Sequence, residues 1–583
     1  MTAANNFMWG YQGHFLTSAT VAAETLFSKL DPMLEPHVFL VGVLIEEHPR
    51  RSPVCIEPDD CGYDAARFTS VKTRAAELVK EDPEGKIFHS HPIAQKNNWE
   101  QIRRRALMNA VEEQIRADDA ANGVTSFCSV PILLEGYQVI IVLQLDRAAL
   151  ESHYSLTKKI RDRMHFNVSL IDATINEYLT QCAKGLTKPN PGAGLNVVDR
   201  EADELIRSAG KALMYAPANS GNNFHGLHGF FEACNAISSL KYEGVEGLGR
   251  IVVSRKDHPN VHIEMALTVP VPIRDYRAVR KLLEISSGGL SLLTDSAEIY
   301  GLGGMKDTYD ATTEELFTIE FRQHHDWELC HDNRRLMRVV YGQPRLPKGG
   351  IDKALFENTL DRIFNGISAE GKTQLWTAVR EAAKQKHGTM VVISKGAATE
   401  AVRLINQSTL IKSRILSVDL VRKVTAIDGA LLLDPIGVCH AIGVILDGLA
   451  SKNGDPSRGA RYNSAIRYVE SSPSPCMAVV VSADATINFV PDLMPQIPRS
   501  ELEAAINRLR ELKQDAKFSL KNFYRTLDWL QKHRFYLTAA VCEEVNRLRR
   551  EGEATRDRVV NPNIKPVYSD FEPNEDMNDS YFL

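Results

Sequence analysis

Residues 427–470 read IDGALLLDPIGVCHAIGVILDGLASKNGDPSRGARYNSAIRYVE. At one end, Asp428-Gly429-Ala430 makes a turn that opens an apolar, strand-like run. At the other, Gly459-Ala460-Arg461 makes a glycine-ended basic turn that opens a helix. An Asp-Gly turn before a strand is common and says little alone. Two such turns inside one α/β unit say more, because phosphoryl chemistry needs what each supplies. A hard divalent cation prefers carboxylate oxygens, offered by Asp428. Phosphates prefer a helix N-terminus and an arginine fork, offered by residues 459–464. Ser482 and Asp484 follow a further predicted strand end, where open α/β sheets place ligands.

The segments around this stretch alternate in kind. Helical spacing is expected over residues 353–364, 372–386 (closed by Gly388) and 400–406, with strands over 390–393, 477–481 and 487–490. Alternating strands and helices over 351–497 predict a mixed or parallel sheet with helices on its faces. Beyond it, Ser500 and Glu503 suggest a capping box for a helix carrying Leu502, Ile506 and Leu509. Two more helices are expected before residue 553, forming a helical segment over 498–553, and the acidic, Pro/Asn-rich residues 554–583 read as a flexible tail.

Upstream, residues 343–350 (QPRLPKGG) read as the clearest linker. Before it, residues 1–188 form an α/β region with a buried strand over 38–45 and a two-residue hairpin turn at Glu135-Gly136. Helices are expected over 67–80, 99–117 and 167–183. A turn-rich break at 189–194 separates a second α/β region over 189–350, with a helix over 199–215 capped by Asp199. In that region Gly301-Leu302-Gly303-Gly304 lacks dinucleotide-binding spacing and reads as a loop.

Composition bounds the partners. The chain has 583 residues, 44% apolar and 25% charged, as in an ordinary globular protein of several domains. A net charge of −5 argues against a general nucleic-acid or anionic-membrane binder. Nine cysteines without a CxxC pair, together with no signal-peptide pattern and no apolar stretch of spanning length, predict a soluble cytoplasmic protein with reduced thiols.

Residues 370–492 resemble the diadenylate cyclase (DAC) domain, which condenses two ATP molecules into cyclic di-AMP and two pyrophosphates. The matching features are Asp428-Gly429-Ala430, the run 441–446, the segment GARYNSA at 459–465 and the strand ending at Val481-Ser482. The resemblance implies that Asp428 and Asp484 hold Mg2+ or Mn2+, with Asp428, Arg461 and Asp484 catalytic. It places Gly429, Ala430, Leu446, Gly459, Ala460, Arg461, Tyr462, Asn463, Ser464 and Ser482 around the nucleotide. It also implies a homodimer or higher assembly with facing active sites. The first 350 residues resemble, more faintly, the sensor regions that precede DAC domains in some bacterial proteins; no ligand is implied. The expected fold is thus α/β: a mixed-sheet DAC domain flanked by helices, behind an α/β sensor region and ahead of a short helical segment.

This sequence departs from the family on the phosphate side. The usual Arg-His-Arg is Arg461-Tyr462-Asn463, which removes a histidine and a guanidinium. Each charge-assisted contact is worth about 1.5–3 kcal/mol, so simple loss costs about one to several decades in binding or catalysis. Arg458, just outside the motif, offers a replacement charge. The alternative to a working cyclase is a catalytically inactive nucleotide-binding signalling module.

Two clusters suggest other chemistry. His89-Ser90-His91 looks like the start of a JAMM metallopeptidase motif, but Trp99 and Ile102 stand where that motif needs Ser and Asp. His324, Asp326, Glu328 and Cys330 would share one face of a strand and could converge on a metal; equally, Trp327 and Leu329 could be the buried face and the polar residues a solvated one.

Overall fold

The apolar run near residue 40 forms the strand His37–Leu44, with seven of its eight residues buried. In the computed structural model it lies inside a five-stranded antiparallel sheet, between Val54–Glu57 and Tyr137–Asp146. Val38 and Leu40 join one core and Phe39 and Val41 another, so the strand is buried on both faces and carries no polar alternation. The structure describes residues 7–583 apart from 47, 59–60, 89, 159, 162–163, 195–196, 244–246, 287–289, 333, 348–352, 384, 386–387, 452, 456–458, 483–486, 515–519, 560–568 and 575. The hairpin turn forms as expected, with φ of 46° at Glu135 and 87° at Gly136, the left-handed pair that a tight two-residue turn demands. The helix expected over 99–117 runs further, Pro92–Asn122, with proline in its first turn and Gly123 closing it.

Met1–Pro347 is one compact unit and Lys348–Leu583 another. The first also holds an eight-stranded sheet. From edge to edge its strands are Gln343–Arg345, Arg334–Val340, Asp326–His331, Phe317–Gln323, Gly249–Val253, Ser291–Thr294, Glu298–Met305 and Val261–Pro272. Among the described residues of this sheet, only Gly249–Val253 and Ser291–Thr294 pair in parallel.

Several expectations are revised here. One apolar core runs from Met8 to Leu346, and Trp9 Nε1 donates to Pro191 O at 2.8 Å. The break at 189–194 therefore lies inside this unit. Gln343–Arg345 is an edge strand rather than linker, while 348–350 lie outside the described residues. The glycine cluster is no loop: it lies in the strand Glu298–Met305, where a Cβ on Gly303 would come within 2.0 Å of His262 O on the next strand. Asp199 does not cap the following helix, which starts at Ala202 after Glu201.

In the second unit the strands are β1 (Thr389–Ser394), β2 (Thr409–Ile415), β3 (Ala430–Leu433), β4 (Val438–Val444), β5 (Cys476–Val481) and β6 (Ile487–Val490). They form a mixed sheet ordered β2-β4-β3-β1-β5-β6, in which β1 and β3 are parallel and the other neighbours antiparallel. The helices are α1 (Lys353–Ile363), α2 (Ala369–Ala382), α3 (Ala397–Arg403), α4 (Val418–Val424) and α5 (Ala460–Ser471). Met390, Val392, Leu432 and Val480 pack with α3 and α5, whereas Val391, Ile393, Leu431 and Val479 pack with α1, α2 and α4. This period-two division buries both faces of the central strands, which explains their unbroken apolar runs. β2 and α4 have no counterpart among the expected elements. β2 is an edge strand, mostly exposed, and its TLIKSRI mixes charges with aliphatics. Gly388 does not close α2, which ends at Ala382; it precedes β1 with φ of 73°.

The three C-terminal helices are α6 (Arg499–Gln514), α7 (Leu520–Lys532) and α8 (Ala539–Val559). Ser500 lies within the first turn of α6 instead of capping it. The acidic tail is also revised: α8 continues to Val559, and Phe571 and Tyr581 are buried in the helical core beside Leu527 and Val545. Aromatic residues in an otherwise polar tail give it apolar surface to bury. Among the described residues, no helix is long and apolar enough to cross a membrane.

Candidate functional site

Strand register brings the dispersed candidates to one end of the second unit's sheet. Met390 on β1 faces Ala430 on β3, and Thr389 faces Val481 on β5. Ala430 in turn faces Val444 on β4. Asp428 and Gly429, Leu446, and Ser482 therefore emerge together, with β1 between the Asp428 and Ser482 strands. The sheet is mixed, so this end combines the N-terminal ends of β1 and β3 with the C-terminal ends of β4 and β5. The carboxyl-end rule for parallel sheets describes half of it.

Gly429 shapes the turn. Its φ is 105°, and a Cβ there would stand 2.5 Å from the carbonyl carbon of Gly443. Only glycine combines that dihedral with that approach. The turn presents Asp428 with its side chain 89% exposed. Arg461, in the first turn of α5, donates from Nη2 to Asp428 Oδ1 at 3.0 Å. That guanidinium, followed by the Gly429 N–H, holds the Asp428 carboxyl below its usual pKa. The carboxylate is thus charged, accessible and oxygen-only, which suits a hard divalent cation. Asp484, the second expected metal ligand, lies outside the described residues, as does Arg458.

The N-terminus of α5 completes the arrangement. Gly459 is its N-cap and makes no side-chain capping bond; Gly459 and Ala460 are exposed. Arg461, Tyr462, Asn463 and Ser464 are each half-buried. Tyr462 and Leu446 pack against the same sheet-face core, so the tyrosine standing at the family's histidine position contributes apolar surface. Asn463 faces the chain that leads into α5: Oδ1 accepts from Asp455 N and Nδ2 donates to Asp455 O, both at 2.9 Å. Ser482 is half-buried just past β5.

A chain of polar contacts not anticipated from the sequence runs from buried Tyr468 and Glu400 out to exposed Arg403 and Asp447. Tyr468 on α5 donates to Glu400 Oε2 at 2.9 Å. Arg403 donates to both Glu400 oxygens and reaches Asp447 with two bonds of 2.7 Å. Glu400 is 4% exposed and its ion-pair partner is Arg403. Arg403 holds Asp447 below its usual pKa, and burial raises that of Tyr468. The chain ties α5 and α3 to the turn after β4. The Glu400/Arg403 spacing of three on one helix is its only local signature.

The alternative clusters assemble differently. His89 lies outside the described residues; His91 caps the Pro92–Asn122 helix, Trp99 packs over Gly85 and Ile102 is fully buried, so no further ligand of the peptidase motif is present there. His324 falls in the turn before the strand Asp326–His331, all of which is buried, so neither the four-ligand face nor a solvated polar face forms. Asp326 is bound by Arg338 and Glu328 by Arg322. Glu320, Glu328 and Cys330 bring ligand atoms within 4.8 Å of one another, but Arg250 pairs with Glu320 and Arg335 with Glu328, so guanidinium groups already neutralise the carboxylates.

Residues 376–492 match the family model described as DisA bacterial checkpoint controller nucleotide-binding, or DAC. Residues 8–214 match the probable sensor domain DACNG, and residues 228–333 the probable sensor domain DACNH. The chain carries a DAC domain behind two probable sensor domains. The DAC match spans Asp428, Arg461 and Ser482. Among solved structures, the chain is similar to a double-cysteine variant of DacA from Staphylococcus aureus, with 20% identity over 22% of this chain and 91% of that one and a TM-score of 0.18. A search of curated proteins returns no match.

Proposed function

We propose that this chain is a diadenylate cyclase, joining two ATP molecules into cyclic di-AMP with release of two pyrophosphates under control of its sensor domains. The observation that carries the reading is the meeting of Asp428 and Arg461 at one sheet end of a DAC domain. The 3′-oxygen of one ATP attacks the α-phosphorus of the other, a P–O bond forms, and pyrophosphate leaves in line. Repetition in the opposite sense closes the ring. The chain's part is positioning and charge. Arg461 and the α5 N-terminus receive phosphates. Leu446 offers apolar surface to adenine, and Ser482 offers a hydroxyl from just past β5. A Mg2+ or Mn2+ ion held by Asp428, with Asp484, would supply charge neutralisation at the phosphates and acidify the attacking hydroxyl. Because each product needs two nucleotides facing one another, the active form is a homodimer or higher assembly. The test is mass spectrometry of the full chain incubated with ATP and either metal: cyclic di-AMP is expected.

One observation favours a second reading. Asn463, at the family's second arginine position, is bonded to Asp455. That leaves fewer cationic groups for the triphosphate and fits a nucleotide-binding signalling module without turnover. Calorimetric ATP binding together with no product across both metals would select it.

A further inference from the structure

The departure from the family at Asn463 has a structural use. Ser451, Asn453 and Asp455 mark a strap beside α5, fastened by two asparagines. Asn453 Nδ2 donates to Glu470 Oε1 at 2.7 Å, and Asn453 N donates to Ser451 Oγ at 2.9 Å. Asn463 makes the second fastening, exchanging both hydrogen bonds with the Asp455 peptide groups and placing Nδ2 3.4 Å from Gly459 O. It thereby grips the chain both where the strap ends and where α5 begins. Gly459 supplies no side-chain cap for the first-turn N–H groups, and Asn463 is a side-chain contact to the start of the helix. An arginine at 463 could not reproduce this grip, because a guanidinium donates only and cannot accept from Asp455 N–H.

We propose that Asn463 is a positioning residue: it acts on the nucleotide through the strap and the α5 N-terminus, and not by touching phosphate. This rests on the nucleotide-site reading of that helix end. The consequence opposes charge counting. Restoring the missing cation by Asn463→Arg should weaken ATP binding, since it removes the grip, even though it adds a positive charge near the phosphates.

The experiment compares wild type, Asn463→Ala, Asn463→Asp and Asn463→Arg in the full chain. Amide hydrogen exchange over residues 451–463 is measured without ligand, and the ATP dissociation constant is measured by calorimetry. Asn463→Ala should speed exchange at Asp455 and raise the dissociation constant about tenfold, the loss expected for two neutral hydrogen bonds. Asn463→Asp keeps the acceptor for Asp455 N–H and should fall between the two. Where turnover is measurable, KM should rise with kcat little changed. Faster exchange in Asn463→Ala with unaltered ATP affinity would overturn the positioning role. Tighter ATP binding by Asn463→Arg would also overturn it, by showing that position 463 meets phosphate directly. Unchanged exchange would show that the grip is not made. If wild type itself binds no ATP while the exchange effect is present, the nucleotide reading fails, and with it the positioning role, although the strap stands.

Discussion

Arg461 Nη2 lies 3.0 Å from Asp428 Oδ1, thirty-three residues away in sequence. The group suited to phosphate thus rests on the group suited to metal. Asp428 is exposed and Arg461 half-buried, so the pair contributes little to stability. Its electrostatics can be checked directly. The Asp428 pKa is lowered, so the pair's contribution is complete above the unfolded value of about 4 and is lost as pH falls through the folded value. Asp428 stays charged throughout the neutral range, and any activity loss above about pH 6 must come from another group. Replacing Arg461 with Ala should move the Asp428 titration upward toward an ordinary carboxylate, as followed by carboxyl-carbon NMR. An unmoved titration would mean that the pair is absent in solution.

Gly429→Ala should destabilise the second unit by more than about 1 kcal/mol, since φ is positive and the new methyl meets the Gly443 backbone. The measurement is thermal unfolding. A melting temperature within error of wild type would show that the turn can relax, and would weaken the link between this glycine and the presentation of Asp428.

Tyr468→Phe removes one donor from buried Glu400 while leaving its bonds from Arg403. The cost should be about 1–3 kcal/mol of stability, that of leaving a buried acceptor short of a partner. ATP affinity should fall as well, because the bond ties α5 to α3. A stability loss with full affinity would confine this chain of residues to a structural role.

Chelation should abolish turnover and leave the fold intact, since Asp428 is exposed and holds no core together. Circular dichroism of the chelated protein should match that of the untreated one. Unfolding on chelation would point to a structural metal elsewhere.

The sequence disclosed most where side-chain period and turn chemistry act locally. The buried strands of the DAC sheet were readable because two-sided burial forces unbroken runs such as Met390–Ile393. Asp428 and Arg461 were readable because each opens an element. β2 was not, because an exposed edge strand carries no such pattern. Nor was the strand holding Gly303, since its glycine answers to His262 O on a neighbour that local pattern does not reveal. The Asn463 grip was hidden for the same reason: a half-buried asparagine in a helix discloses its partner only when the preceding loop is placed. In the tail, acidic and polar neighbours outweigh Phe571 and Tyr581 in composition, although both side chains are buried.

The most direct test is product analysis by mass spectrometry after incubating the full-length protein with ATP and Mn2+ or Mg2+, beside Asp428→Asn. Cyclic di-AMP from wild type, and none from a folded Asp428→Asn protein, is the predicted result. ATP bound by wild type without any cyclic di-AMP, under both metals and at concentrations that permit assembly, would contradict the cyclase reading.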